Sequence, residues 1–334
     1  MLVLSAALGK TSLVMKISNV LNAVKGKRGM LLILAFYAVG MVMAQFIPTT
    51  AAISILVIFL LTLDNTGEIT PKRLLLPLLG VMCGCKFRFP VGLGATTFAT
   101  LNGMYEGIIG DHPEYMISML DPFKIAIIPM VVLTIYCLFA WKLMPKGQGI
   151  NQDALKKTSM ERQLTDAQEM IVYGVFVAVM LLMLLNKYTG NMLYLAPAAG
   201  VLILIYTKVV SVPEAVKGLT ADMTWMLAGV LIVADALGST GAGDMIGNAI
   251  LSILGENPSS VTVMFVFSFA TVIMTTFLSN MATQSVLIPI AASVALAAGW
   301  DPRGLVLIIG TCNYYALGFP SGSGEAAVCF AAGG

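Results

Sequence analysis

The sequence predicts an all-α polytopic membrane protein with two inverted repeats, each holding a re-entrant helical hairpin and a broken transmembrane helix. Three observations support this prediction: an apolar composition, two long uncharged segments with polar centres, and matching residues at a constant offset. Of the 334 residues, 58% are hydrophobic and only 11% are charged. This composition is typical of helical membrane proteins and excludes an ordinary soluble domain.

The longest uncharged segment, residues 257–300, contains no Asp, Glu, Lys or Arg. One helical crossing needs about 20 apolar residues, so the segment is long enough for two. Its centre nevertheless carries Ser279, Asn280 and Thr283, and such side chains compete for backbone hydrogen bonds and interrupt helices. We predict a hairpin over 259–299 whose polar tip lines a cavity and binds a cation. The alternative is two full spans joined by an exposed turn.

A second uncharged segment, residues 29–63, repeats this design with Pro48, Thr49 and Thr50 at its centre. Each arm has only about 17 residues, which is short for a complete crossing. We therefore predict that this hairpin enters the membrane and returns to the same side.

Residues flanking the two hairpins match at an offset of about 230 positions, as expected for an internal repeat with copies of about 105 residues. Transporters commonly place the substrate site at the interface of such repeats. The matching pairs are Gly9 with Gly238, Pro71 with Pro302, Phe89 with Phe319, Gly92 with Gly322, and Gly94 with Gly324.

The repeats divide the chain into three parts: residues 1–108, 109–221 and 222–334. The first part is predicted to hold a connector at 10–28, the hairpin 29–63 and a broken helix at 72–108. The middle part holds spans at 125–143, 168–186 and 191–207, with a linker at 144–167. The last part holds a span at 222–238, a connector at 241–256, the hairpin 259–299 and a broken helix at 303–334. Apolar segments at both ends suggest a fragment that lacks outer spans.

The distribution of Lys and Arg predicts the orientation in the plasma (inner) membrane. Of the 19 basic residues, 14 fall in one set of loops and three in the other, which places the richer set in the cytoplasm. That set consists of residues 10–28, 64–73, 142–162 and 208–217. This topology inverts the second repeat relative to the first, as in secondary transporters.

The paired hairpins, tipped by Ser279-Asn280-Met281 and Pro48-Thr49-Thr50 and each followed by a broken helix, resemble the divalent anion:sodium symporters of the ion transporter superfamily. The resemblance covers nearly the whole chain. The sequence departs from the family pattern at the first tip, where Ser-Asn-Thr is usual, and lacks the Thr-Pro-Pro-Asn-like loop endings.

The resemblance implies a homodimeric, elevator-type symporter of small anions, most simply di- or tricarboxylates, with substrate between the two tips. Sodium, the coupling ion, would bind between each tip and the adjacent broken helix, and neither an enzymatic activity nor a cofactor or nucleic-acid partner is expected. Sulfate or another inorganic anion, and proton coupling, are the alternatives. The implied substrate contacts are Thr49, Thr50, Ser279, Asn280 and Arg88. The implied cation contacts are Asn280, Thr283, Ser321, Gly322, Ser323, Gly92 and Gly94.

Three charged residues lie close to the breaks of the two broken helices: Lys86, Arg88 and Glu325. A cation in the bilayer costs about 2.5–3.5 kcal/mol on insertion scales, so such residues are usually paired, at the surface or functional. Arg88 is a candidate substrate contact, and Lys86 a candidate built-in cation in place of the first sodium. Glu325 is a candidate cation or proton carrier, although a carboxylate at a helix N-terminus is also favoured by the dipole.

One short motif in the sequence points to a different class of function. Gly241-Ala242-Gly243-Asp244, with Asp235 nearby, resembles the motif of an intramembrane aspartyl protease, in which two carboxyls share a proton. The two Asp residues lie on adjoining segments, however, and a solvated Asp244 in the connector is the simpler interpretation. The five Cys residues and His112 do not form a metal-binding pattern.

Overall fold

The computed structural model describes residues 2–13, 16, 29–60, 69–110, 112–145, 164–184, 192–220, 222–255 and 258–333. These residues form helices, turns and bends, and no strand occurs among them. The all-helical fold class is therefore confirmed. Most of the connector 10–28, the turn at 64–68 and most of the linker 144–167 lie outside the described residues.

The α-helices are named in chain order. They are α1 (Leu2–Gly9), α2 (Met30–Phe46), α3 (Thr49–Leu60), α4 (Pro71–Cys85), α5 (Thr97–Gly103), α6 (Glu106–Ile109), α7 (Asp121–Ala140), α8 (Asp166–Leu184), α9 (Met192–Tyr206), α10 (Val212–Leu219), α11 (Asp222–Ser239), α12 (Ala242–Leu254), α13 (Ser260–Phe277), α14 (Asn280–Ala297), α15 (Arg303–Cys312) and α16 (Gly324–Gly333). Short 3-10 helices occupy Gly92–Thr96, Pro113–Tyr115 and Trp141–Leu143.

Helix starts follow local sequence signals. Pro71 occupies the first turn of α4, where its missing N–H leaves no hydrogen bond unmade. Ser259 caps α13 by accepting a hydrogen bond from the Thr262 N–H at 3.1 Å. Ser211 and Glu214 form a reciprocal capping box at the start of α10.

The chain divides into two compact units. One comprises Met1–Thr96, Thr134–Ala221 and Ala331–Gly334, and the other comprises Thr97–Leu133 and Asp222–Phe330. Each predicted hairpin lies in a different unit, together with the helix that follows it. The first predicted broken helix, 72–108, is shared, because α4 belongs to the first unit and α5 to the second.

In the first unit, α2 and α3 pack against each other and both pack on α4. The Tyr37 hydroxyl on α2 donates to the Cys137 carbonyl at 3.2 Å. Elsewhere in this unit, α9 and α1 pack on α8. The buried Glu169 carboxylate accepts hydrogen bonds from the Ser12 N–H at 2.8 Å and the Ser12 hydroxyl at 2.6 Å. These bonds fasten the end of α1 to α8.

In the second unit, α13 and α14 pack against each other and both pack on α15. Helix α12 lies along α14, and α6 lies against α11. The contact between α6 and α11 is close, because a methyl group at Gly238 would clash with the Gly107 carbonyl oxygen. The two units thus share one local arrangement: two arms joined by a short break, both packed on the next helix.

Four of the described helical segments are long and apolar enough to cross a membrane, and a fifth span results if the bent pair Ala228–Ser239 and Ala242–Leu254 counts as one. The four are Asp121–Leu143, Asp166–Met183, Ser260–Phe277 and Asn280–Ala297. The spans predicted at 125–143 and 168–186 are therefore confirmed as long apolar helices. Since both arms of the second hairpin are long enough to cross, re-entry of that hairpin stays a prediction.

Candidate functional site

The second hairpin tip is a break of two residues between α13 and α14. Leu278 and Ser279 are extended, and the Ser279 hydroxyl accepts a hydrogen bond from the Ala282 N–H at 3.2 Å. Ser279 is therefore the N-cap of α14. The break lies where the polar centre of the uncharged segment predicted it.

A cluster of oxygen atoms surrounds Thr275, one turn before this break. The Thr275 hydroxyl lies 2.9 Å from Asn280 Oδ1 and 2.8 Å from the Asn313 carbonyl oxygen. A hydroxyl has one proton to donate, so it satisfies one of these oxygens at a time. Thr275 is fully buried, and it links the tip to the C-terminal end of α15.

The loop between α15 and α16 approaches the same point. A methyl group at Gly322 would lie 3.2 Å from the Thr276 carbonyl oxygen and 3.3 Å from that of Thr275. The Ser321 hydroxyl donates to the Thr276 carbonyl at 3.5 Å. The structure therefore brings Asn280, Ser321 and Gly322 together at the end of α13, and all three belong to the predicted cation site.

The other predicted residues of the second half take different positions. Thr283 is fully buried, and its hydroxyl has no hydrogen-bond partner among the described residues. Ser279 is exposed. Ser323 caps α16, because its hydroxyl accepts from the Ala326 N–H at 3.1 Å. Glu325, in the first turn of α16, is only 3% exposed.

The sequence did not single out Thr275 or Asn313. Asn313 is fully buried, and neither its Oδ1 nor its Nδ2 has a hydrogen-bond partner among the described residues. An unsatisfied buried polar group costs about 1–3 kcal/mol, so this amide is expected to meet water or a ligand. The signal in the sequence was an amide at the end of an apolar helix, just before the Pro/Gly-rich loop.

The first hairpin tip has the same outline but different chemistry. Ile47 and Pro48 separate α2 from α3, and Thr49 begins α3. The Thr49 side chain is buried, and its hydroxyl has no partner among the described residues, whereas Thr50 is exposed. One turn before the break, the buried side chain of Gln45 occupies the position that Thr275 occupies in the second half.

Gln45 makes three hydrogen bonds through its side-chain amide. Nε2 donates to the Cys85 carbonyl at 2.9 Å and to the Met41 carbonyl at 3.0 Å. Oε1 accepts from the Phe89 N–H at 3.4 Å. The loop also approaches the backbone of Gln45, because a methyl group at Gly92, whose φ is +60°, would clash with the Gln45 carbonyl oxygen.

The two glycine contacts repeat at one offset. Gly92 approaches Gln45 and Gly322 approaches Thr275, and 230 positions separate both Gly92 from Gly322 and Gln45 from Thr275. The local packing in each unit therefore supports the predicted repeat. Gly94 makes a close contact within its own loop, since a methyl group there would clash with the Phe89 carbonyl oxygen.

The charged residues of the first broken helix lie in the turn after α4. Arg88 is 2% exposed and is the largest of the fully buried side chains. Such burial disagrees with a side chain that reaches the membrane surface. The Lys86 ammonium lies over the Phe87 ring, 5.2 Å from its centroid, and its role as a built-in cation stays a prediction.

The protease alternative gains no support. Asp235 and Asp244 are both exposed and lie on α11 and α12, on opposite sides of a 79° bend. Asp244 is in the first turn of α12, where the helix dipole favours a carboxylate. Within the described ranges, no cluster of His, Cys, Asp and Glu has the geometry to hold a metal ion.

Apolar helices broken at polar tips are an architecture found in many membrane transporters. Comparison with protein families agrees. The model of the citrate transporter family matches residues 1–310, and the chain belongs to that family. No match was found among the curated proteins.

This result confirms the resemblance at the level of the superfamily. The citrate transporter family lies in the same ion transporter superfamily as the divalent anion:sodium symporters. Membership of the divalent anion:sodium symporters themselves stays a prediction.

Proposed function

We propose that the protein is a secondary active transporter that carries citrate, or a closely related di- or tricarboxylate, together with sodium bound at the second hairpin tip. The observation that supports this proposal is the group of oxygens around Thr275: its own hydroxyl, Asn280 Oδ1 and the Asn313 carbonyl. Family membership supports the anion, since the family's members are described as citrate transporters.

The chemistry of the oxygen cluster favours a monovalent cation. Hydroxyl, amide and carbonyl oxygens carry no net charge, whereas protein sites for Ca²⁺ and Mg²⁺ usually include carboxylates. Carbonyls at interrupted helices are also the usual ligands for sodium in transporters. Further oxygens near this cluster are the Thr276 carbonyl beside Gly322 and the Asn313 amide oxygen, which has no hydrogen-bond partner among the described residues.

Proton coupling is the second candidate, and one observation favours it. Glu325 is a buried carboxyl in the first turn of α16, close in sequence to the loop residue Gly322, and buried carboxyls within membrane segments often carry protons.

The proposal also includes an elevator movement and a homodimer. It includes substrate contacts at Thr49, Thr50, Ser279, Asn280 and Arg88.

The test is citrate uptake into proteoliposomes with an inward gradient of sodium or of choline. Asn280→Ala and Thr275→Val each remove one oxygen ligand, so the sodium concentration for half-maximal uptake is expected to rise about tenfold for each, which corresponds to about 1.4 kcal/mol. Succinate and sulfate, added as competitors, report the anion class.

Matched controls exist in the same unit. Thr271→Val removes a buried hydroxyl on α13 that bonds only within its helix, to the Phe267 carbonyl at 2.6 Å, and Asn248→Ala changes an exposed amide on α12. Both are expected to keep the wild-type sodium dependence. Unchanged sodium dependence in Asn280→Ala would contradict the cation assignment. Uptake that ignores sodium, follows a pH gradient and is lost in Glu325→Gln would favour the proton.

A further inference from the structure

At the first hairpin tip, the Gln45 side-chain amide donates hydrogen bonds to two carbonyl oxygens. Both Nε2 protons are used, one on the Cys85 carbonyl and one on the Met41 carbonyl. In the second unit, the matching residue Thr275 brings only one hydroxyl proton to a set of acceptor oxygens. The amide therefore supplies donors at a position where the second tip leaves lone pairs open.

The Cys85 carbonyl oxygen accepts two hydrogen bonds at this tip. It accepts from Gln45 Nε2 at 2.9 Å and also from the Arg88 N–H at 3.3 Å. A carbonyl oxygen has two lone pairs, so both are engaged in hydrogen bonds. A metal cation needs those lone pairs, and hydrogen atoms that point at the same oxygen repel it.

Space near the first tip is also limited. The loop backbone at Gly92 already lies against the Gln45 carbonyl, with no room for a methyl group. Among the described residues, these contacts engage the oxygens around Gln45, and the Thr49 hydroxyl is the oxygen at this tip that has no hydrogen-bond partner.

We infer that the transporter binds one coupling cation per chain, at the second tip, and that Gln45 is the residue that closes the first site. This inference rests on the proposed cation coupling. It assigns to Gln45 a specificity role: the side chain fixes how many cations bind, without contacting the anion.

The test counts sodium ions in wild type and in Gln45→Glu. Glu keeps the shape of Gln and still accepts from the Phe89 N–H, but it has no protons for the Cys85 and Met41 carbonyls. A carboxylate beside two carbonyls is expected to bind sodium. Equilibrium binding of radioactive sodium to purified protein should rise from one ion per chain to two, and the Hill coefficient for sodium should rise from about 1 toward 2.

Two further variants complete the design. Gln168→Glu adds the same charge on α8, away from the tip, and is expected to bind one ion, as wild type does. Gln45→Thr introduces the residue type found at the matching position, Thr275. It replaces Gln45→Glu in the experiment if Gln45→Glu does not fold. Two bound ions in wild type would overturn the inference, as would a folded Gln45→Glu that binds only one.

Failure of the proposed function gives a different experimental result from failure of the inference about Gln45. Wild type would then show no sodium dependence of uptake and no bound sodium. Thermal unfolding in sodium and in choline still tests Gln45 in that case, because Gln45→Glu should gain a sodium-dependent rise in melting temperature that wild type and Gln168→Glu lack. Absence of that gain would overturn the inference independently of transport.

Discussion

Arg88 is the charged residue that we propose as a contact for the substrate. Its side chain is buried in the turn after α4, and a guanidinium binds a carboxylate with two parallel hydrogen bonds that an ammonium cannot reproduce. Citrate carries three carboxyl groups, so a fixed guanidinium is a suitable contact. Substitution of Arg88 tests whether its side chain binds the anion.

Arg88→Lys is expected to raise the Michaelis constant for citrate about tenfold or more, because the lysine keeps the charge but loses the second hydrogen bond. Citrate uptake kinetics in proteoliposomes measure this effect. Arg73→Lys is the control, since Arg73 is on the same unit and donates to the Met144 carbonyl at 2.9 Å, away from the tip. Equal Michaelis constants in the two variants would show that Arg88 has a packing role only.

Some residues at the two tips could be predicted from the sequence and others could not. The sequence located Asn280 and Ser279, because polar residues at the centre of an uncharged segment are conspicuous. It missed Gln45, Thr275 and Asn313. These are ordinary polar positions within or at the end of apolar helices, and their importance depends on which carbonyl lies nearby, which only the fold determines.

Among the elements, the loops after α4 and α15 each make close contacts with other backbone segments. Each carries a glycine that lies against the backbone of a hairpin arm, Gly92 in the first unit and Gly322 in the second. The sequence predicted these breaks correctly, because Phe-Pro followed by two glycines cannot continue a helix. It did not predict which backbone atoms the glycines touch.

Gly92→Ala is expected to destabilise the protein by about 3 kcal/mol or more. Positive φ alone costs a non-glycine residue about 1–2 kcal/mol, and the methyl group also meets the Gln45 carbonyl. Gly110→Ala is a matched control, because Gly110 also has positive φ, +55°, but open space around it. Thermal unfolding in detergent measures both, and equal losses of stability would show that the contact with Gln45 contributes nothing.

At the scale of the whole molecule, ion pairs outside the membrane segments make stability depend on acid pH. Hydrogen bonds from Arg303 hold the pKa of Asp301 below its ordinary value, and a hydrogen bond from Lys10 does the same for the pKa of Glu214. A carboxyl with a lowered pKa in the folded state stabilises fully above the unfolded pKa of about 4. That contribution is lost as the pH falls through the folded value.

The contribution of these two carboxyls to the melting temperature is therefore expected to be constant from pH 7 to about pH 5. The melting temperature is expected to fall below about pH 4. Asp301→Asn should lower the melting temperature at pH 7 and show a smaller further loss at pH 3, because the variant has no carboxylate to protonate. Parallel curves for wild type and Asp301→Asn would contradict this account. Asp235→Asn changes an exposed carboxyl on α11 and serves as the control.

The proposed closure of the first tip also has an electrical consequence. A citrate trianion that enters with one monovalent cation carries two uncompensated negative charges into a cell whose interior is negative. Each such charge costs about 2.3 kcal/mol per 100 mV of membrane potential. Under the proposed ratio of one cation per chain, transport of the trianion therefore works against the voltage, and citrate in a partly protonated, less charged form is the more favourable substrate.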